Sequence, residues 1–168
     1  MPNVISRDGS IRQDNWAVVP RPAEGESLAI PSDQPALIPA DLWLAGYEHF
    51  TGRPEIGVWF DSHDEPEILE GRVNELPVIA VNFPKFSDGR GYSIGRLLRE
   101  RFGYVNELRA IGDVLLDQLQ FMKRCGFDTY VLRPDKDITK AQKCLNFFSQ
   151  GYQAATDTDI PLFRRRAS

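Results

Sequence analysis

The chain has 168 residues, of which 42% are hydrophobic and 26% charged, with a formal net charge of −4. That length suits one domain with a sizeable core, and the acidic balance argues against general affinity for nucleic acid while leaving local basic patches open. The two cysteines, Cys125 and Cys144, stand far apart with no CxxC or Cys/His cluster, which argues against a protein-bound iron–sulfur or zinc–thiolate site.

The first residues, MPNVISRDGS, are polar. They do not read as a signal peptide, and no long apolar span follows, so a cytoplasmic setting without membrane contact is expected. Residues 1–39 are rich in proline and read as an extended segment packed on the domain, with short strands at WAVV and SLAI. ADLWLAGYEHF then reads as a short helix opening an α/β domain over residues 40–152. A strand–helix rhythm follows. IGVWF, PVIAVNF, ELRAIG and TYVLR are strand-like. EPEILEGRVNE, GYSIGRLLRERFG, DVLLDQLQFMKRCG and DITKAQKCLNFFSQGYQ are helical. Four β–α units of this kind predict a mainly parallel sheet, with strands near 57–61, 78–83, 107–111 and 129–133. VIAV is apolar on both faces, as a strand covered on both sides should be. A partial barrel and a small open sheet both satisfy the right-handed crossover rule. Residues 153–168 form a polar tail with a basic cluster.

In a parallel sheet, ligands meet the loops beyond the carboxyl ends of the strands. Those loops carry Asp61, His63, Asp64, Lys85, Asp88, Arg90, Asp113 and Arg133. In PKFSDGRGYSIG the glycine spacing is GxGxxxG, and PKFSD separates it from its strand, so neither a dinucleotide fingerprint nor a Walker loop is met. The start of that helix, with Lys85, Asp88, Arg90 and Ser93, is a candidate oxyanion site. The blander reading makes Asp88-Gly89 a turn and Ser93 a helix cap. Asp113 sits where an N-cap belongs, with Asp117 one turn later beside Gln118. The two aspartates are placed to receive Lys85 or Arg90, and Arg133 closes the same edge. The loop DSHDEPE holds metal-ligand residue types but no second histidine, so no metal is expected.

Ile94, Leu97, Leu98 and Phe102 share one helical stripe and should face the sheet. Arg96 and Arg99 lie away from it, with Arg101 at its border. No lysine occurs between residues 86 and 122. Arginine docks carboxylates and aromatic surfaces better than lysine. Tyr92, Arg96, Arg99, Arg101 and Tyr104 are therefore a candidate docking surface for an acidic partner.

Two motifs taken together resemble a known family. The first holds Lys85, Phe86, Asp88, Gly89, Arg90, Tyr92, Ser93, Arg96 and Arg99; the second holds Gly112, Asp113, Asp117, Gln118, Arg124, Cys125, Gly126 and Phe127. Over roughly residues 40–152 the chain resembles bacterial domain-of-unknown-function family 934. Members of that family often carry the label of an oxidoreductase involved in sulfite reduction. The resemblance implies a place beside the sulfite reductase haemoprotein in sulfate assimilation, and it assigns no catalytic residue. With no flavin, haem or iron–sulfur motif, no cofactor is expected. The expected role is an accessory protein that docks the reductase and/or its electron donor, an acidic carrier such as ferredoxin. The alternative is an oxidoreductase or small-anion enzyme using the strand-end cluster.

Overall fold

The computed structural model of the chain describes residues 3–145 and 153–165. Among these, eight strands form one sheet: β1 (Asn3–Ser6), β2 (Ile11–Gln13), β3 (Ala17–Val18), β4 (Ala36–Pro39), β5 (Ile56–Phe60), β6 (Val78–Phe83), β7 (Glu107–Gly112) and β8 (Thr129–Tyr130). Their spatial order is β2-β1-β8-β7-β6-β5-β4-β3. From β3 to β8 every neighbouring pair is parallel, while β1 runs antiparallel to both β8 and β2. The fold is therefore α/β with a mainly parallel sheet, and the four strands expected from the rhythm are β5 to β8.

The short link between the two sheet edges decides between barrel and open sheet. β2 and β3 stand at opposite ends of the order, and only Asp14, Asn15 and Trp16 separate them in the chain. In a flat sheet at about 4.8 Å per strand, the edges would lie about 34 Å apart. The link spans at most about 14 Å. The sheet must curl until its edges approach one another, and it does so as a half-barrel.

Curling separates the strand residues into two sets. Ile38, Val58, Phe60, Ile79, Val81, Phe83, Leu108, Ala110 and Tyr130 point outward under the helices and build the main core. Alternate residues Leu37, Trp59, Val78, Ala80 and Ile111 line the concave side with Trp16 and Val131. The helices are α1 (Ala40–Ala45), α2 (Tyr47–Phe50), α3 (Arg90–Glu100), α4 (Leu119–Arg124), α5 (Ile138–Leu145) and α6 (Leu162–Arg165). Glycine punctuates them differently from expectation. The helix expected at ADLWLAGYEHF breaks at Gly46 into α1 and α2. The helix expected at EPEILEGRVNE is two 3₁₀ turns, Pro66–Leu69 and Val73–Glu75, parted by Gly71 at φ +79°. A left-handed residue cannot continue a right-handed helix. The last part of the helix expected over 137–153 lies outside the described residues, as does the end of the basic tail.

Residues 3–39, expected as an extended segment, supply four strands of the sheet itself. SLAI is not a strand; Leu28 and Ile30 instead pack on the main core. The irregular connector between β3 and β4 thus does the work of the crossover helix that parallel strands need.

A charged cluster lies inside the curl. Arg109, on β7, is 1% exposed and donates to Asp14 at 2.7 Å and to Glu107 at 2.6 Å. The Glu107 carboxylate also accepts from Thr129 (2.7 Å) and Arg12 (2.8 Å). The cluster thus joins β7, β8, β2 and the link. Removing one partner of a buried pair costs about 3–5 kcal/mol when it strands the other charge, and Glu107, which stays beside Arg109, holds the loss of Asp14 to the low end, about 3 kcal/mol. Asp14→Ala should lower stability by that amount in urea denaturation, and a conserved m-value would show that the fold itself is kept.

The same cluster predicts a pH dependence. Burial raises the Glu107 carboxyl, but the Arg109 charge and the hydrogen bonds from Thr129, Arg109 and Arg12 outweigh it and hold the group below its ordinary value. The unfolded chain then binds the proton first as pH falls. The Glu107 contribution is full above about pH 4.5 and is lost as pH drops through the lowered value. Glu107→Gln should flatten this part of the acid-denaturation profile.

Candidate functional site

The loops beyond β5, β6, β7 and β8 meet along one edge, where the expected strand-end residues other than Lys85 fall into three ion-paired groups. In the first, the Asp61 carboxylate accepts from Asn82 Nδ2 (3.1 Å) and its own neighbour's amide, Ser62 N (2.8 Å). Asp64 accepts from Asp61 N (2.7 Å) and from Arg21 (2.7 Å), whose guanidinium also donates to Asp41 at 2.6 Å. Arg21 lies over the Trp59 ring at 5.5 Å. His63 is exposed, 3.8 Å from Asp61. Arg21 carried no signal in the sequence, because it arrives from the connector between β3 and β4.

In the second group Asp88 binds Arg90 at 2.6 Å and also accepts the Arg90 amide at 3.1 Å. The Arg90 hydrogen bonds, with a smaller contribution from the Ser62 hydroxyl, hold the Asp88 carboxyl well below the usual carboxylate range. The third group is Arg133 between Asp135 (2.5 Å) and Asp113 (2.8 Å). These hydrogen bonds raise the Arg133 guanidinium and lower Asp135.

Several expected roles change on this edge. Asp113 is not a helix cap and takes neither Lys85 nor Arg90. It accepts from Arg133 and, at 2.8 Å, from the amide of Phe86. Gln118 donates to the Phe86 carbonyl at 2.9 Å and accepts from Leu115 N at 3.0 Å. Together they clamp the Phe86 loop onto the start of α4. Ser93 does not cap α3, since the helix begins at Arg90 with Gly89 before it. Lys85, Ser93 and Asp117 are exposed. The first amide of α3, a donor that an oxyanion would need, already serves Asp88.

The glycines of GRGYSIG have a packing role. A Cβ on Gly91 would lie 2.7 Å from the Phe83 ring, and one on Gly95 would lie 2.5 Å from the Phe127 ring. Small residues one turn apart let α3 settle directly on two aromatic side chains. Phe83 in turn touches Tyr92 (ring centroids 5.1 Å apart) and Phe127 (5.8 Å).

On the arginine ridge, two residues expected to face outward are turned in. Arg99 donates to the carbonyls of Tyr104 (2.6 Å), Asn106 (2.9 Å) and Gly126 (2.9 Å), and it pairs with the Asp128 carboxylate. Gly126, at φ +103°, leaves room for the Arg99 chain, because a Cβ there would lie 2.4 Å from Arg99 Cγ. Tyr104 is buried, its hydroxyl donating to the Glu107 carbonyl at 3.0 Å. Both positions are corrected from docking surface to scaffold: the chain turns back at Gly103 (φ +65°) and buries Tyr104, and the carbonyls that this turn and the end of α4 leave open draw the Arg99 guanidinium inward. Arg96 and Arg101 do face outward, each beside an acid: Arg96 and Glu100 at 2.9 Å, Arg101 and Glu67 at 3.5 Å.

Beside Arg96 stand aromatic side chains, of which only Tyr92 was expected on a docking surface. Phe86 is 60% exposed and Phe121 is 55% exposed. The Tyr92 ring meets Phe121 at 4.8 Å, and Gln118 ties Phe86 to the same helix. Ser93, Arg96, Leu97, Glu100 and Arg101 line a shallow open groove alongside. Cys125, beneath this face, has its thiol pushed up to about 11 by burial, so it stays protonated near neutral pH. Among the described residues no group of three or more His, Cys, Asp and Glu side chains is placed to hold a metal, and no helix is long and apolar enough to cross a membrane.

A family model described as a bacterial protein of unknown function, DUF934, matches residues 57–163. No curated protein and no solved structure matches the chain.

Arg99 and Arg96 differ by three positions and should differ sharply on substitution. Arg99→Ala strips hydrogen bonds from three carbonyls and unpairs Asp128, and should cost about 3 kcal/mol. Arg96→Ala removes an exposed i,i+4 pair and should cost about 0.3 kcal/mol. Parallel urea titrations of the two variants measure the difference.

Proposed function

The chain belongs to the bacterial DUF934 family, and from that premise we propose that it is an accessory protein of assimilatory sulfite reduction. It docks the sulfite reductase haemoprotein, or an acidic electron donor such as a ferredoxin, through the face built by α3 and α4. The pathway comes from the resemblance carried by the two motifs. The observation that carries the docking role is the grouping of Phe86, Tyr92 and Phe121 with Arg96, one helical turn from Tyr92, and with Arg101 farther along the same open groove on α3, on a molecule whose net charge is −4.

The contrast between the two charged regions supports this choice. At the strand ends, Arg21, Arg90 and Arg133 are each held by at least one aspartate of the chain itself. A small anion arriving there must displace a carboxylate already hydrogen-bonded to the guanidinium, and those of Asp88 and Asp135 are held below the usual carboxylate range by these bonds. That weakens the reading as an oxidoreductase or small-anion enzyme. On α3, the Arg96–Glu100 pair is half exposed on both sides, and exposed pairs contribute only a few tenths of a kcal/mol. A partner carboxylate can take the place of Glu100 at little cost. Half-exposed phenylalanines beside such arginines supply the apolar anchors that dominate binding energy once desolvated. The charges then act mainly on the encounter rate and fade with salt.

Arg96→Glu with Arg101→Glu should slow association with the partner about tenfold at low salt and leave circular dichroism unchanged, because both side chains are exposed. Arg99 is unsuitable for this test, since it holds the fold. Sulfite-dependent growth should fall with the double reversal. A pull-down from cells at low and high salt, scored for the reductase and its donor, checks the partner; recovering neither at low salt overturns the proposal.

A further inference from the structure

Residues 153–165 combine a locked root with an exposed tip. The root is fastened to the end of α4. Arg124 donates to the Gln153 carbonyl and lies 3.7 Å from Asp157, while the Arg124 carbonyl accepts from the amide of Thr156 (3.2 Å) and its hydroxyl (2.7 Å). Ala155 and Thr158 close a tight two-way backbone turn. Beyond the root, Ile160 is 52% exposed and Phe163 is 54% exposed, with the exposed Arg164 guanidinium 5.9 Å from the Phe163 ring. Between Ile160 and Arg165 there is no acidic residue. Arg124 follows Phe121 by three positions on α4, so the root of this arm and the exposed Phe121 ring share a helix face.

We infer that residues 160–165 form a second contact, a preorganised arm that grips an acidic protein segment carrying an apolar side chain, beside the face built by α3 and α4. The inference rests on the docking role proposed above and extends it from one surface to two. Charge complementarity selects the occupant. The arm is cationic and aromatic, whereas the whole molecule is anionic, with a net charge of −4. An extended anionic surface such as a lipid bilayer or a nucleic acid would be repelled by the rest of the chain, but a short acidic segment meets only the basic patch. The locked root lowers the ordering cost of binding, and exposed phenylalanines on both contacts offer anchors to one apolar residue between carboxylates.

The test is fluorescence anisotropy with the full chain and a labelled peptide in which glutamates flank one phenylalanine. A version with glutamine for glutamate serves as control. Vesicles containing phosphatidylglycerol and a single-stranded oligonucleotide are titrated alongside. The inference expects saturable binding of the acidic peptide, weakened by salt, and at least about fivefold weaker for the variant Phe163→Ala with Arg164→Glu. The glutamine peptide should bind worse than the glutamate peptide. If Arg96→Glu weakens binding and the arm variant does not, the arm is overturned and the α3 face stands. If the arm variant weakens binding and Arg96→Glu does not, the arm stands and the α3 face is overturned. Tighter binding to vesicles or oligonucleotide than to peptide overturns the arm's assignment to a protein partner, and absence of peptide binding overturns both contacts.

Discussion

Arg109 and Asp14 meet inside a curled sheet, and the geometry around them constrains the rest of the molecule. Three residues join strands at opposite edges, so the sheet must bend until the link reaches. The link then crosses the concave side, bringing Asp14 to Arg109 and Trp16 against Gly57. A Cβ on Gly57 would lie 2.6 Å from the Val78 carbonyl and 3.3 Å from the Trp16 ring. The interior is thereby filled toward the amino ends of β5, β6 and β7. A guanidinium buried to this depth needs its charge balanced on several sides, and Glu107 and Asp14 do so while tying β7 to β2 through Arg12.

With the amino ends filled and the main core under the helices, the loops at the carboxyl ends of the strands and the outer helix surfaces are the charged regions left exposed. These two regions are electrostatically unlike. The strand-end arginines are committed to aspartates within the chain, in pairs that also hold loop backbone in place. Asp113 and Gln118 seize the Phe86 amide and carbonyl, so the polar residues of the edge serve to present an aromatic side chain outward. The outer row of α3 carries exposed pairs that solvent already competes for.

Rigidity of that face comes from below. Gly91 and Gly95 seat α3 on Phe83 and Phe127, and Arg99 gathers carbonyls from the turn after α3 and from the end of α4. Phe121, Tyr92 and Arg96 are thus held on a platform whose backbone is cross-braced by a single guanidinium. A surface that keeps its shape before contact loses less entropy on binding.

The α/β class and the parallel order of β5 to β8 were legible in the sequence. Each follows from local period, β-branched runs and chain punctuation. The strand-end aspartates and arginines were also legible as a group, since in a parallel sheet every such loop falls on one edge. What those residues do to one another was not. Asp113 meets Arg133 instead of Lys85 or Arg90, and Arg99 turns inward beside Arg96, because side-chain direction depends on where the following chain passes and which carbonyls it leaves open. Arg21, Asp14 and Trp16 come from a segment with no periodic pattern, and their partners lie far away in sequence. Only closing the sheet brings them together. Local periodicity determined which elements form; the curl set by a three-residue link decided which charges are buried, which are paired, and which aromatic rings remain exposed.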